Sequence, residues 1–128
     1  MARPTPLTAL DHVQLAAPPG CEAQARAFYG VLLGLPELPK PAALAGRGGV
    51  WFAVGAQAVH VGVEEPFRPA RKAHPALRAA SAGAVRELAR ALEAAGHRVR
   101  WHAELPGVVR FFADDPFGNR LEVLAGDD

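Results

Sequence analysis

Residues 10 to 16 alternate in the two-residue period of a strand, with Val13 and Leu15 on one side and His12 and Gln14 on the other. Pro18-Pro19-Gly20 breaks the chain, and the alanine-rich stretch from Glu22 to Leu33 then suits a helix. Gly34 stands where a helix C-terminal cap is expected, with Pro36 just beyond. Alternation resumes from Gly49 to Val54 and from Gln57 to Val63, two strands joined through Gly55-Ala56 as in a hairpin. The second half repeats this grammar: a strand from His74 to Ala80, a helix from Ala82 to Ala95, a capping Gly96, and strands over His97 to His102, Val108 to Ala113 and Asn119 to Leu124. Asp115-Pro116-Phe117-Gly118 has the residues of a type I turn and sets up the last hairpin.

The two halves share one offset. His12 and His74, Gly34 and Gly96, and His60 and Glu122 are each 62 residues apart. Leu15 and Leu77 extend the first match, and Val61 and Val123 the last. The chain of 128 residues is long enough for one core and too short for two, so the copies must share it. The expected organisation is a single domain over 1–128, with a first strand-helix-strands module at 8–63, a connector at 64–73 and a second module at 74–126.

Strand parity gives each polar candidate a side. His60 opposes Val59, Val61 and Val63; Glu122 opposes Leu121 and Val123; His74 opposes Leu77 and Ala79; His12 opposes Val13 and Leu15. All four therefore point away from the apolar, helix-covered face. If the two sheets curl toward each other with the helices outside, that face is the inside of a cup, where three imidazoles and a carboxylate converge. Such a set suits zinc, nickel, cobalt, iron(II) or manganese and leaves coordination positions open for water or substrate. Pro75 removes a ladder donor, which places His74 at the entrance of its strand.

Composition narrows the classes without adding a site. Half the residues are apolar and the formal net charge is +1, with neither a nucleic-acid footprint nor an acidic trap for cations. No apolar run is long enough to span a bilayer, and the start lacks a secretory signal, so a cytoplasmic protein is expected. The single cysteine, Cys21, forms no intramolecular disulfide and has no histidine near it in sequence. His97 and His102 read as surface residues, and Arg68, Arg71 and Lys72 in the connector as a solvated face, with the binding of an anionic tail, as on a thiol cofactor, as the alternative. Arg110 interrupts an apolar strand and shares a face with Phe112, with Trp51 at the matching place in the first half. These three are candidate substrate contacts, Arg110 for an anionic group and the rings as apolar walls. The alternative for Arg110 is a structural pairing with Asp114, Asp115 or Glu104.

Three segments carry a resemblance to the vicinal oxygen chelate superfamily of glyoxalases, fosfomycin-resistance enzymes, extradiol dioxygenases and bleomycin-binding proteins. They are Asp11-His12-Val13-Gln14-Leu15, then Ala27-Phe28-Tyr29-Gly30 through Leu33-Gly34-Leu35, and Asp115-Pro116-Phe117-Gly118-Asn119-Arg120-Leu121-Glu122. The resemblance implies an α+β fold of two βαβββ modules forming a cupped mixed sheet with helices outside, a divalent metal in the cup, and a homodimer. It places metal ligands on the first and last strands of each module, here His12, His60, His74 and Glu122. Glu122 is also the group that would serve as a catalytic base. The metal would act as a Lewis acid on neighbouring oxygens of a small-molecule substrate. In bacterial-type glyoxalase I a carboxylate usually matches His60, which weakens the case for isomerase chemistry here. The serine- and tyrosine-rich loop of fosfomycin enzymes is not seen.

The function expected from the sequence is thus a metal-dependent lyase, isomerase or thiol transferase using bidentate oxygen chelation. No nucleic-acid or membrane partner is expected. The competing expectation is a metal-free drug- or metabolite-binding protein of the bleomycin-resistance type, using Trp51, Phe112 and Arg110.

Overall fold

A computed structural model describes residues 3–127. Its first module runs β1 (His12–Ala17), α1 (Glu22–Ala25) continued by a π-wound segment (Arg26–Leu32), β2 (Glu37–Leu38), a 3-10 turn (Ala42–Arg47), β3 (Val50–Val54) and β4 (Gln57–Val63). The second runs β5 (Ala76–Arg78), α2 (Ala82–Ala94), β6 (Val99–Trp101), β7 (Val108–Asp114) and β8 (Arg120–Gly126). Each module closes a four-stranded mixed sheet of the same topology, β1-β4-β3-β2 and β5-β8-β7-β6. In each, the first strand lies parallel to the last, a pairing that needs a crossover, and the helix supplies it. The fold is the α+β pair of βαβββ modules that the resemblance implied.

The pairing registers bear out the repeat. Gln14 pairs with His60 in the first sheet, and Ala76, at the same offset, pairs with Glu122 in the second. One core serves both halves: Leu15, Val59, Val61, Val50 and Phe52 from the first sheet join Phe111, Ala113, Leu121, Val123 and Ala125 from the second. The helices complete it. On α2 the buried residues Ala82, Val85, Ala89 and Leu92 recur at three- and four-residue spacing, one stripe of a helix. Ser81 caps it by accepting a hydrogen bond from the Ala84 N–H. In the first helix the π winding shows as a Leu33 N–H donating to the Phe28 carbonyl, and consecutive Phe28 and Tyr29 are both buried.

The turn at Asp115 joins the halves. Its carboxylate accepts from the Tyr29 hydroxyl at 2.6 Å, the Phe117 and Asn119 N–H groups and the Asn119 side-chain amide. Fully buried Asn119 also donates to the Ala16 carbonyl and accepts from the Ala70 N–H. One side chain thus touches β1, the connector and the turn before β8. Burial, then the Asp115 charge, pushes the Tyr29 phenol well above its ordinary range, so it stays a proton donor.

Several boundaries differ from the sequence reading. The strand expected over His74 to Ala80 pairs only across Ala76–Arg78, because Pro75 has no N–H to give; its carbonyl instead accepts from the Glu122 N–H. His74 lies just ahead of the strand, as expected. The short β2 and the 3-10 turn were not anticipated, since Pro36, Pro39 and Pro41 mask any alternation there.

Candidate functional site

In the second module His74, Glu122, Arg110 and Phe112 form one constellation. The Phe112 and Glu122 positions are cross-strand partners on β7 and β8. The His74 Nε2 lies 3.0 Å from Glu122 Oε1, and its Nδ1 lies 2.8 Å from the Lys72 carbonyl. A carbonyl only accepts, so Nδ1 donates its proton to Lys72, and Nε2 is the nitrogen turned to the carboxylate. Arg110 Nη1 donates to the other carboxylate oxygen, Glu122 Oε2, at 3.2 Å, and its Nη2 reaches Glu104 at 3.5 Å. The Arg110 Nε is buried with no hydrogen-bond partner among the described residues. Of the structural partners foreseen for this arginine, only Glu104 is used. Asp114 pairs with Arg100, and Asp115 is saturated by the turn. Glu122 as its main partner was not foreseen.

The Phe112 ring floors this constellation. His74 meets its edge at 5.2 Å between centroids, and the Arg110 and Arg120 guanidinium carbons lie 5.3 and 5.0 Å from its centre. His102, expected at the surface, also meets this ring, at 4.8 Å, and bonds to Glu104 at 3.1 Å. The available signal was parity: Arg100 pairs with Phe112, and His102 follows it by two. His97 is half-buried with its ring against Phe28.

In the first module three rings stack. Trp51 and His60 are cross-strand partners with ring centres 3.9 Å apart and planes 4° apart; His12 covers the other face of His60 at 4.0 Å. The matched places are therefore Trp51 with Phe112 and His60 with Glu122. His12 Nδ1 bonds to Asp11 at 2.9 Å, which leaves Nε2 for another partner, the same division of labour as in His74. Burial, and secondarily His12, lowers the pKa of His60 below its ordinary value, favouring the neutral ring that can bind a metal.

The sequence quartet is thus divided into two pairs, His12 with His60 and His74 with Glu122. Among the described residues no group of three His, Cys, Asp or Glu side chains is arranged to hold a metal ion. All four residues lie outside the hydrophobic core cluster, and among the described residues they do not converge within one chain. The donor chemistry of each pair still fits a divalent ion, since both His12 and His74 have Nδ1 engaged, which makes Nε2 the nitrogen that would ligate.

Two repeated βαβββ modules with a polar pair on the outer face of each define a paired-module α+β fold. The comparisons agree. A glyoxalase family protein from Bacillus anthracis is 44% identical, with a TM-score of 0.91, covering 98% of this chain and 100% of that one. A lactoylglutathione lyase from Agrobacterium tumefaciens is similar at 24% identity and a TM-score of 0.74, covering 95% and 96%. The fosfomycin resistance protein FosX from Listeria monocytogenes shares the fold at 15% identity and a TM-score of 0.76, covering 94% of each chain. No family model and no curated protein sequence matches. The chain belongs to the glyoxalase family, within the vicinal oxygen chelate superfamily. No helix among the described residues is long and apolar enough to cross a membrane.

Proposed function

We propose that the protein is a metal-dependent enzyme acting on a small oxygenated molecule, and that its site is completed by a second copy of the chain. His12 and His60 of one subunit would meet His74 and Glu122 of its partner, giving three imidazoles and one carboxylate. The observation that carries this reading is the His74–Glu122 pair, in which the Lys72 carbonyl holds Nδ1 and so sets Nε2 beside a carboxylate oxygen, two metal-type donor atoms 3.0 Å apart. Two such half-sites on outward faces of one chain need a partner to become whole, and a twofold axis brings unlike faces together in both sites at once.

A zinc, nickel, cobalt, iron(II) or manganese ion would supply Lewis acidity toward two neighbouring substrate oxygens. The chain's own residues set the rest. Arg110 keeps Glu122 Oε2 occupied, so that Oε1 is the oxygen presented beside His74. Among the four, Glu122 is the only carboxylate and so the group able to accept a proton from substrate carbon. Phe112 and the Trp51 stack give apolar walls that limit water. A lyase, isomerase or thiol transferase activity fits this equipment.

Metal analysis of untagged protein tests the reading. One tight divalent ion per chain, lost in Glu122→Gln with folding intact, is expected; no ion retained after exposure to nickel, zinc, manganese or anaerobic iron(II) would overturn it. One observation favours the metal-free binding alternative: Arg110 and His74 already engage both oxygens of Glu122. That alternative predicts ligand binding unchanged by a chelator.

A further inference from the structure

Next to this constellation lies a separate cavity of about 330 Å³, lined by Pro69, Arg71, Arg100, Asp114, Gly118 and Arg120. Three guanidinium groups and one carboxylate border it. Asp114 is taken up by Arg100, at 3.1 and 3.4 Å, while neither Arg71 nor Arg120 has an ion-pair partner among the described residues. The formal balance is two positive charges in excess, concentrated where planar forks of donors match a tetrahedral oxyanion.

The cavity is built rather than incidental. The connector is pinned to the start of β8 by the Ala70 N–H donating to Asn119 Oδ1 and the Arg120 N–H donating to the Ala70 carbonyl, both 2.9 Å. Arg71 is thereby held beside Arg120. Gly118, at φ +94°, lets Pro69 approach so closely that a Cβ there would sit 3.3 Å from the proline ring.

We propose that Arg71, Arg100 and Arg120 form a subsite for a phosphate-type dianion. Its place suits the far end of a substrate. The Arg120 guanidinium lies 5.0 Å from the Phe112 ring centre and the His74 ring 5.2 Å from it, so Arg120 adjoins the ring that also borders His74. Assigning the anion to the substrate rests on the reading of Glu122 given above; the subsite itself does not.

The test titrates inorganic phosphate, and acetate separately, into chelator-treated full-length protein at about 0.1 M salt while following backbone amide resonances. Saturable shifts at Ala70, Gly118 and Arg120 are expected with phosphate, and much weaker ones with acetate. Arg71→Gln and Arg120→Gln should each weaken phosphate by about tenfold or more, the loss of one charge-assisted partner. Arg71 is exposed in the connector, so its variant reports binding without disturbing the core. Absence of saturation, equal response to acetate, unchanged affinity in both variants, or shifts confined to Ala76 and Val123 would overturn the proposal. Because the protein is metal-free throughout, failure of the metal reading leaves this result standing.

Discussion

His74 Nε2 faces Glu122 Oε1 at 3.0 Å while its Nδ1 is fixed by the Lys72 carbonyl at 2.8 Å. This single pairing links the connector, β5 and β8, and it gives the second module a preoriented donor pair. The first module answers with His60 stacked between Trp51 and His12. The function argued above depends on those two pairs belonging to one site.

The stack makes Trp51 a reporter. In a Trp101→Phe background, nickel or cobalt at His60 should quench the remaining indole emission, and His60→Ala should abolish the response. Quenching that persists in His60→Ala would place the ion elsewhere.

Tyr29→Phe should cost about 1.5–3 kcal/mol, the range for a buried hydrogen bond to a charged group, because it deletes the 2.6 Å bond to Asp115. Asn119→Ala should cost more, since it removes ties to Ala16, Ala70 and Asp115 together. Denaturant unfolding of both variants checks the order. The opposite ranking would mean that Asn119 does not join the modules as described.

Glu22 accepts the Gly49 N–H at 2.7 Å, and this bond chiefly holds its carboxyl below the usual carboxylate range. The folded state therefore binds this proton less readily than the unfolded chain. The stabilisation is complete above the ordinary carboxylate pKa and is lost as pH falls through the lowered folded value. The stability gap between wild type and Glu22→Gln should be constant near neutrality and close in acid. A gap that widens in acid would reverse the assigned sign.

Cys21 is 1% exposed, and its thiol is pushed up by burial and by the Glu22 charge. A thiol-specific reagent should react with the native protein far more slowly than with the unfolded chain. Comparable rates would contradict that burial.

Much of this fold was legible because strands announce themselves by parity and helices by caps. Leu15, Val59, Val61, Leu121 and Val123 fall at alternate positions of their strands, and the 62-residue offset agrees with pairings that only the structure gave, Gln14 with His60 and Ala76 with Glu122. Parity assigns a face, however, and says nothing about which face meets which. It could therefore set His12, His60, His74 and Glu122 on the polar side without showing that one chain holds them as two pairs. The Arg110–Glu122 contact and the reach of Asn119 to Ala16 were equally hidden, because they depend on side-chain reach between elements. His102 was missed for a simpler reason: its face follows from Arg100 only once the pairing of Arg100 with Phe112 is known.

Mixing two disabled chains tests the shared site most directly. One carries His12→Ala with His60→Ala, the other His74→Ala with Glu122→Gln, and neither alone should retain a tight divalent ion. After unfolding and refolding together, random pairing gives mixed dimers with one intact site each, so metal should return to about a quarter of the wild-type amount per chain. A mixture that binds no more than its components, with mixed dimers verified, would contradict a site shared between subunits.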